Sequence, residues 1–240
     1  MTVESYGNKR LFLFAGHYGS GKSEIAVNFA LGLARIGMAA IVDFDIINPF
    51  FRTAGARGAL EQSGVRVIAP IYANTNVDVP ALPAEISALF DDKRYKSVFD
   101  VGGDSAGAKA VSRYHAEFTS EPYENFFVFN IRRPMTSDIA GIINIFEEIQ
   151  GSARLPFTSI VNNTNLMSQT REEDLLEGVD AAVELSKRLS LPVSFSAFMC
   201  GASGCGLTPP GGISRFVSAS EKSGIPIFYI QKHIHMDYNS

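Results

Sequence analysis

The chain alternates short apolar runs with longer stretches of helical periodicity. Residues 11–15, Leu-Phe-Leu-Phe-Ala, are continuously apolar and of strand length. Residues 24–36 place Ile25, Ala26, Phe29, Ala30 and Leu33 on one helix face, and Gly37 fits a C-cap. A second strand over 38–42 ends in Asp43-Phe44-Asp45, and Asn48-Pro49 marks 46–53 as a loop. A helix over 54–62, a strand over 65–69, a long loop over 70–83 and a helix over 84–90 follow. The strand at 95–99 runs into Asp100-Val101-Gly102-Gly103-Asp104, and a helix is expected over 106–118. Residues 126–129 read as a strand, and Ser137 or Asp138 caps a helix whose face is Ile139, Ile142, Ile143, Phe146 and Ile149. A strand over 157–161 leads into Asn162-Asn163-Thr164-Asn165. Thr170-Arg171-Glu172-Glu173 reads as a capping box before a helix ending near Leu189. A strand at 192–198, a glycine- and proline-rich loop at 200–212 and an apolar segment at 225–230 complete the chain.

Helices alternating with continuously apolar strands predict a parallel sheet covered on both faces. No linker or internal repeat divides residues 1–240, so one α/β domain is expected, a three-layer sandwich around a mostly parallel sheet. In such sheets ligands sit beyond the carboxyl ends of the strands. The polar clusters fall at those ends.

The sharpest cluster is Gly16-His17-Tyr18-Gly19-Ser20-Gly21-Lys22-Ser23, which fits G-x-x-x-x-G-K-[ST] between a strand and a helix. Its glycines let backbone N–H groups curl toward an anion, and the helix N-terminus adds positive potential. Lys22 would reach the β- and γ-phosphates of a nucleotide, and the Ser23 hydroxyl would bind Mg²⁺. The domain is therefore expected to be a P-loop NTPase domain. Asp100, at a strand end, suits a carboxylate that holds Mg²⁺ opposite Ser23. Gly103, three residues on, could place its N–H on a γ-phosphate. Asp43 and Asp45 would share a side in extended chain, one near the metal and the other orienting the attacking water.

Asn162 and Asn163 occupy a strand end where a base can be read. A guanine reader would carry an Asp where Asn165 stands, and an amide oxygen cannot accept both guanine protons, so adenine is favoured. The competing reading is an Asx-turn loop. Arg132-Arg133 could stack on a base, clamp phosphate or face solvent. Cys200 and Cys205 lack the spacing and companions of a zinc site and read as ordinary thiols, with a metal site shared between subunits as the alternative. His233 and His235 read as surface residues.

Composition narrows the classes. The net charge is −4 with acids and bases interspersed, which argues against a nucleic-acid surface. No apolar run has membrane-spanning length, and no signal-peptide pattern is evident, so a cytoplasmic protein is expected.

The phosphate loop, the segment Val42-Asp43-Phe44-Asp45-Ile46 and the Asp100 strand end together resemble the MinD/ParA group of P-loop ATPases. That group lies within the class that includes the nitrogenase iron protein, CobQ/CobB-type enzymes and dethiobiotin synthetase. The resemblance implies ATP and Mg²⁺ as ligands, Lys22 and Ser23 at the phosphates and metal, Asp45 as the water-activating acid, Asp43 near the metal and Asp100 as the Walker-B acid. It implies a nucleotide switch with a protein or metal-centre client, and a possible homodimer. One departure stands out: the family's second lysine early in the loop falls on His17. Neither a basic amphipathic C-terminal helix nor a basic face is present, so membrane and DNA partners are not expected. A small-molecule kinase or ATP-dependent ligase of the CobB and dethiobiotin type, and a non-hydrolysing nucleotide sensor, are the alternative functions.

Overall fold

The computed structural model describes residues 1–44, 53–69, 84–103, 105–200 and 212–234. The elements run in order β1 (Leu11–Ala15), α1 (Lys22–Ala34), β2 (Ala39–Phe44), α2 (Thr53–Gln62), β3 (Val65–Ile68), α3 (Ala84–Asp91) and β4 (Lys96–Val101). Then follow α4 (Ser105–Ser112), α5 (His115–Thr119), β5 (Tyr123–Phe129), α6 (Ile139–Ala153) and β6 (Ser159–Asn162). The last are α7 (Glu172–Leu189), β7 (Val193–Cys200), α8 (Ser214–Ser223) and β8 (Ile227–Gln231).

The strands form one eight-stranded sheet in the order β3-β2-β4-β1-β5-β6-β7-β8. Every neighbouring pair is parallel. The chain first moves outward from β1 to β2 and β3, then returns through β4 and proceeds past β1 to β8. With right-handed crossovers, that reversal puts the connecting helices on opposite faces. Apolar residues of α1 and α2 pack on one face with Val3 and Ile234, while those of α3 to α8 pack on the other. Strand alternation serves both cores: in β1, Phe12 and Phe14 face α1 while Leu11, Leu13 and Ala15 face away. The reversal between β4 and β5, on either side of β1, is the crevice where an open α/β sheet binds ligands.

Several elements differ from their sequence signals. The helix expected over 106–118 is two helices, broken before His115. The Tyr114 ring turns in against Phe44 and Phe90, at centroid distances of 5.8 and 5.6 Å. Helix α7 is capped one residue later than the sequence suggests. The Asp174 carboxylate accepts from the Arg171 N–H at 2.8 Å, while Thr170 bonds within the preceding turn. Strand β2 extends to Phe44, so Asp43 belongs to the strand itself. Helix α8 buries Phe216 and Ser220. Its first turn is held by Glu172, whose carboxylate accepts the N–H groups of Arg215 at 2.7 Å and Phe216 at 3.2 Å.

Candidate functional site

The loop between β1 and α1 is shaped by glycines at close approaches. A Cβ on Gly16 would lie 2.1 Å from the Val128 carbonyl oxygen, so the loop can leave β1 against β5 only with glycine there. Gly21 adopts φ 83° and caps α1 without a side chain. The N–H groups of the first helical turn, which no residue earlier in the helix can accept, have no side-chain cap.

Lys22 and Ser23 open α1 and are buried, 1% and 4% exposed. Among the described residues the Ser23 hydroxyl makes no hydrogen bond, and neither does that of Ser20. A buried hydroxyl without a partner carries a desolvation cost that a ligand can relieve.

Two carboxylates lie on the same side. Asp43 of β2 and Asp100 of β4 are register partners, and Asp100 also pairs with Phe14 at the end of β1. By strand alternation Asp43 follows Ile41 and Asp100 follows Val98 onto the α1 face, the face of Lys22 and Ser23. Both are 1% exposed. Adjacent buried carboxylates disfavour each other's ionisation unless cations compensate. A magnesium ion bound with nucleotide takes one or two carboxylates, phosphate oxygens and water. Ser23, Asp43 and Asp100 fit that donor set, and the glycine cradle fits phosphate. Among the described residues no group of three or more His, Cys, Asp or Glu forms a self-sufficient metal site. Gly103 also closes on the loop: a Cβ there would lie 2.7 Å from the Tyr18 nitrogen. Asp45, Asp104, Cys205, His235 and the loop at 70–83 lie outside the described residues.

The other flank of the loop is built differently. Asn163 is buried and its amide donates to the Ser20 carbonyl at 2.7 Å. A Cβ on Gly21 would lie 2.2 Å from that amide nitrogen. The Asn162 amide donates to Ser196 Oγ, and its oxygen accepts the Thr164 N–H at 3.0 Å, an Asx turn. Asn165 accepts from the Met167 N–H in the same way. These amides serve as struts and turn-formers in this structure. The physical reason is burial: an amide without water must bond to the protein.

Arg132 is held by Asp174 and Glu177, each at 2.7 Å. Burial disfavours its charge, but the bonds to Glu177 and Asp174 outweigh that and leave its pKa raised. Arg133 instead donates Nε to the Gly19 carbonyl at 2.8 Å. His17, in the loop, has Nδ1 3.0 Å from the Tyr18 carbonyl oxygen. His233 is tied to α1 rather than lying loose on the surface. Glu24 accepts the backbone N–H groups of His233 at 2.6 Å and Ile234 at 3.2 Å. Asn28 exchanges two 2.8 Å bonds with Gln231. Cys200 is buried at the end of β7. A cavity of about 560 Å³ lies between the later turns of α1, the end of α2 and β8, away from the phosphate loop. None of the described helices is long and apolar enough to cross a membrane.

No protein-family model matches the chain, and no curated protein matches it. Solved structures share its fold. Cell division protein FtsY from Thermotoga maritima aligns with a TM-score of 0.51 at 15% identity, over 78% of this chain and 61% of that one. Chloroplast FtsY from Physcomitrella patens gives 0.53 at 16% identity, over 88% and 65%. FtsY from Mycoplasma mycoides gives 0.50 at 18% identity, over 89% and 67%. The chain thus spans between 61% and 67% of the length of these similar structures. The shared architecture is a three-layer α/β fold around a parallel sheet.

Proposed function

We propose that the chain is a Mg²⁺-dependent ATP-binding protein, a nucleotide switch ATPase of the MinD/ParA type acting on a protein or metal-centre client. The observation that carries this reading is the convergence on one sheet face of the glycine loop, buried Lys22, the Ser23 hydroxyl, which bonds to no described residue, and the Asp43–Asp100 register pair. Lys22 and the start of α1 would hold the phosphates, and Ser23, Asp43 and Asp100 would hold the metal. Mg²⁺, when bound with nucleotide, supplies charge neutralisation at the phosphates. Gly103, which packs against Tyr18, would couple the loop to the segment after β4 and bring its N–H to a γ-phosphate. Asp45 would orient the water.

The test is ADP release by the full chain with Mg²⁺–ATP, beside Mg²⁺–GTP and the Lys22→Ala and Asp45→Ala variants. Slow ATP turnover abolished by both substitutions is expected. Losing one charged contact of the Lys22 kind weakens nucleotide binding by about ten- to a hundredfold. Tight ATP binding without turnover would instead favour a sensor or a missing client. Failure to bind either nucleotide would sink the proposal.

A further inference from the structure

We propose that Arg133 is a second phosphate-binding cation of this site, supplied by the chain's own turn between β5 and α6. The inference rests on the nucleotide-binding reading above and adds a residue to it.

Two neighbouring arginines have different fates. Arg132 spends its guanidinium on Asp174 and Glu177, two carboxylates of α7. Arg133 makes no ion pair among the described residues. Its single side-chain hydrogen bond among them runs from Nε to the Gly19 carbonyl, inside the phosphate loop. The side chain lies along that glycine: a Cβ on Gly19 would sit 3.4 Å from both Cδ and Nε of Arg133. Gly19 itself has φ 79°. The two terminal nitrogens of Arg133, with four N–H donors between them, bond to no described group. A half-buried guanidinium with its Nε anchored and its fork open beside an anion cradle is arranged to take a phosphate oxygen.

The turn that carries Arg133 is fixed before any ligand arrives. The Arg133 N–H bonds to the Asn130 carbonyl at 3.3 Å, and the Thr136 N–H bonds to the Arg133 carbonyl at 3.0 Å. Thr136 Oγ1 donates to the Asn130 carbonyl at 2.7 Å, and the Asn130 amide reaches the Asn165 carbonyl at 3.1 Å. Pro134 sets the backbone immediately after Arg133. Little side-chain or backbone entropy remains to be lost when an anion binds, which is what preorganisation contributes to affinity.

The experiment measures affinity of the full chain for Mg²⁺–ATP, Mg²⁺–ADP and AMP, with melting temperatures, in wild type, Arg133→Ala, Arg133→Lys and Arg132→Ala. A lost charge-assisted contact predicts that Arg133→Ala weakens ATP binding about ten- to a hundredfold, with a smaller loss for ADP and none for AMP. Arg133→Lys is expected to recover part of the ATP affinity, because it keeps the charge without the fork. Arg132→Ala, which breaks partly exposed ion pairs, is expected to stay within about twofold of wild type. An equal loss for all three nucleotides would make Arg133 a shaper of the loop or a base contact and overturn the proposal. Unchanged affinities with a lowered melting temperature would reduce Arg133 to a structural latch and likewise overturn it. Wild-type protein that binds no nucleotide would overturn the nucleotide-binding reading itself, and this inference with it.

Discussion

The two ends of the sheet bury charge in opposite ways. At the amino ends of the strands, Arg10 enters β1 only 6% exposed. Every nitrogen of its guanidinium donates: Nη1 donates to the Leu89 carbonyl at 2.9 Å and Nη2 to the Phe90 carbonyl at 2.8 Å. Its Nε and Nη2 also reach the two oxygens of Glu121, at 2.6 and 2.5 Å. Lys93 adds a second cation to Glu121 at 2.8 Å. Nearby, Lys9 bonds Glu124, which also accepts from Thr158. At the carboxyl ends, Lys22, Asp43 and Asp100 are buried still more deeply, beside two serine hydroxyls that bond to nothing among the described residues. One end closes its network within the chain and holds the fold. The other keeps those two buried hydroxyls where a ligand of an open α/β sheet would sit.

The largest effect separating the two ends is expected from Arg10→Ala. It strips Glu121 of its bidentate partner and leaves two buried carbonyls without donors. Breaking a buried pair by removing one partner costs about 3–5 kcal/mol. For a domain of this size that lowers the melting temperature by roughly 10 °C. Nucleotide affinity of the molecules that remain folded should match wild type. A loss of affinity at temperatures far below melting would show that the two ends are coupled and break the contrast.

The second effect is read through the metal. A ligand at a hundred times its Kd adds about 2.7 kcal/mol of stability, which raises the melting temperature by roughly 5–10 °C. Mg²⁺–ATP is expected to give wild-type protein a shift of that order, larger than ATP with chelator. In Asp100→Asn and Asp43→Asn the magnesium increment should vanish while a shift from ATP alone persists. A magnesium increment intact in both variants would remove these carboxylates from the site.

That contrast explains which parts of the molecule are legible in the sequence. The sheet is legible because parallel strands buried on both faces are continuous apolar runs, as in β1 and β2. The glycine loop between β1 and α1 is legible because Gly16, Gly21, Lys22 and Ser23 lie within eight residues and its shape is set by local backbone geometry. Asp100 is legible as the acid at a strand end. The supports of the loop are not. Asn163 reaches Ser20 from 143 residues away, and Arg133 reaches Gly19 from 114. No periodicity encodes such pairs, so in sequence Asn163 resembles a base reader and Arg133 fits several roles equally. Helix α8 escapes notice for a related reason: its first turn is capped by Glu172, from another helix. The Arg10–Glu121 network, assembled from β1, α3 and the turn before β5, leaves no local pattern either.

The smallest expected effect lies in acid. Burial works against the charge of Glu121, but the hydrogen bonds from Arg10 and Lys93 outweigh it and hold its pKa below the usual glutamate value. A carboxyl whose pKa is lower in the folded chain than in the unfolded one stabilises the fold fully above the unfolded value, near pH 4.5. That contribution fades as pH falls through the folded pKa. Glu121→Gln removes the difference between the two states at this position. Its destabilisation relative to wild type should therefore be constant from about pH 5 upward and shrink as pH drops below about 4. Urea unfolding at several pH values measures it. Glu121 is one-fifth exposed, so solvent screening keeps the pH-dependent part small, of order 1 kcal/mol or less. A gap between variant and wild type that widened toward low pH would mean that the carboxyl stabilises the fold in its protonated form. The amino end of the sheet would then not be the self-compensated network its geometry describes.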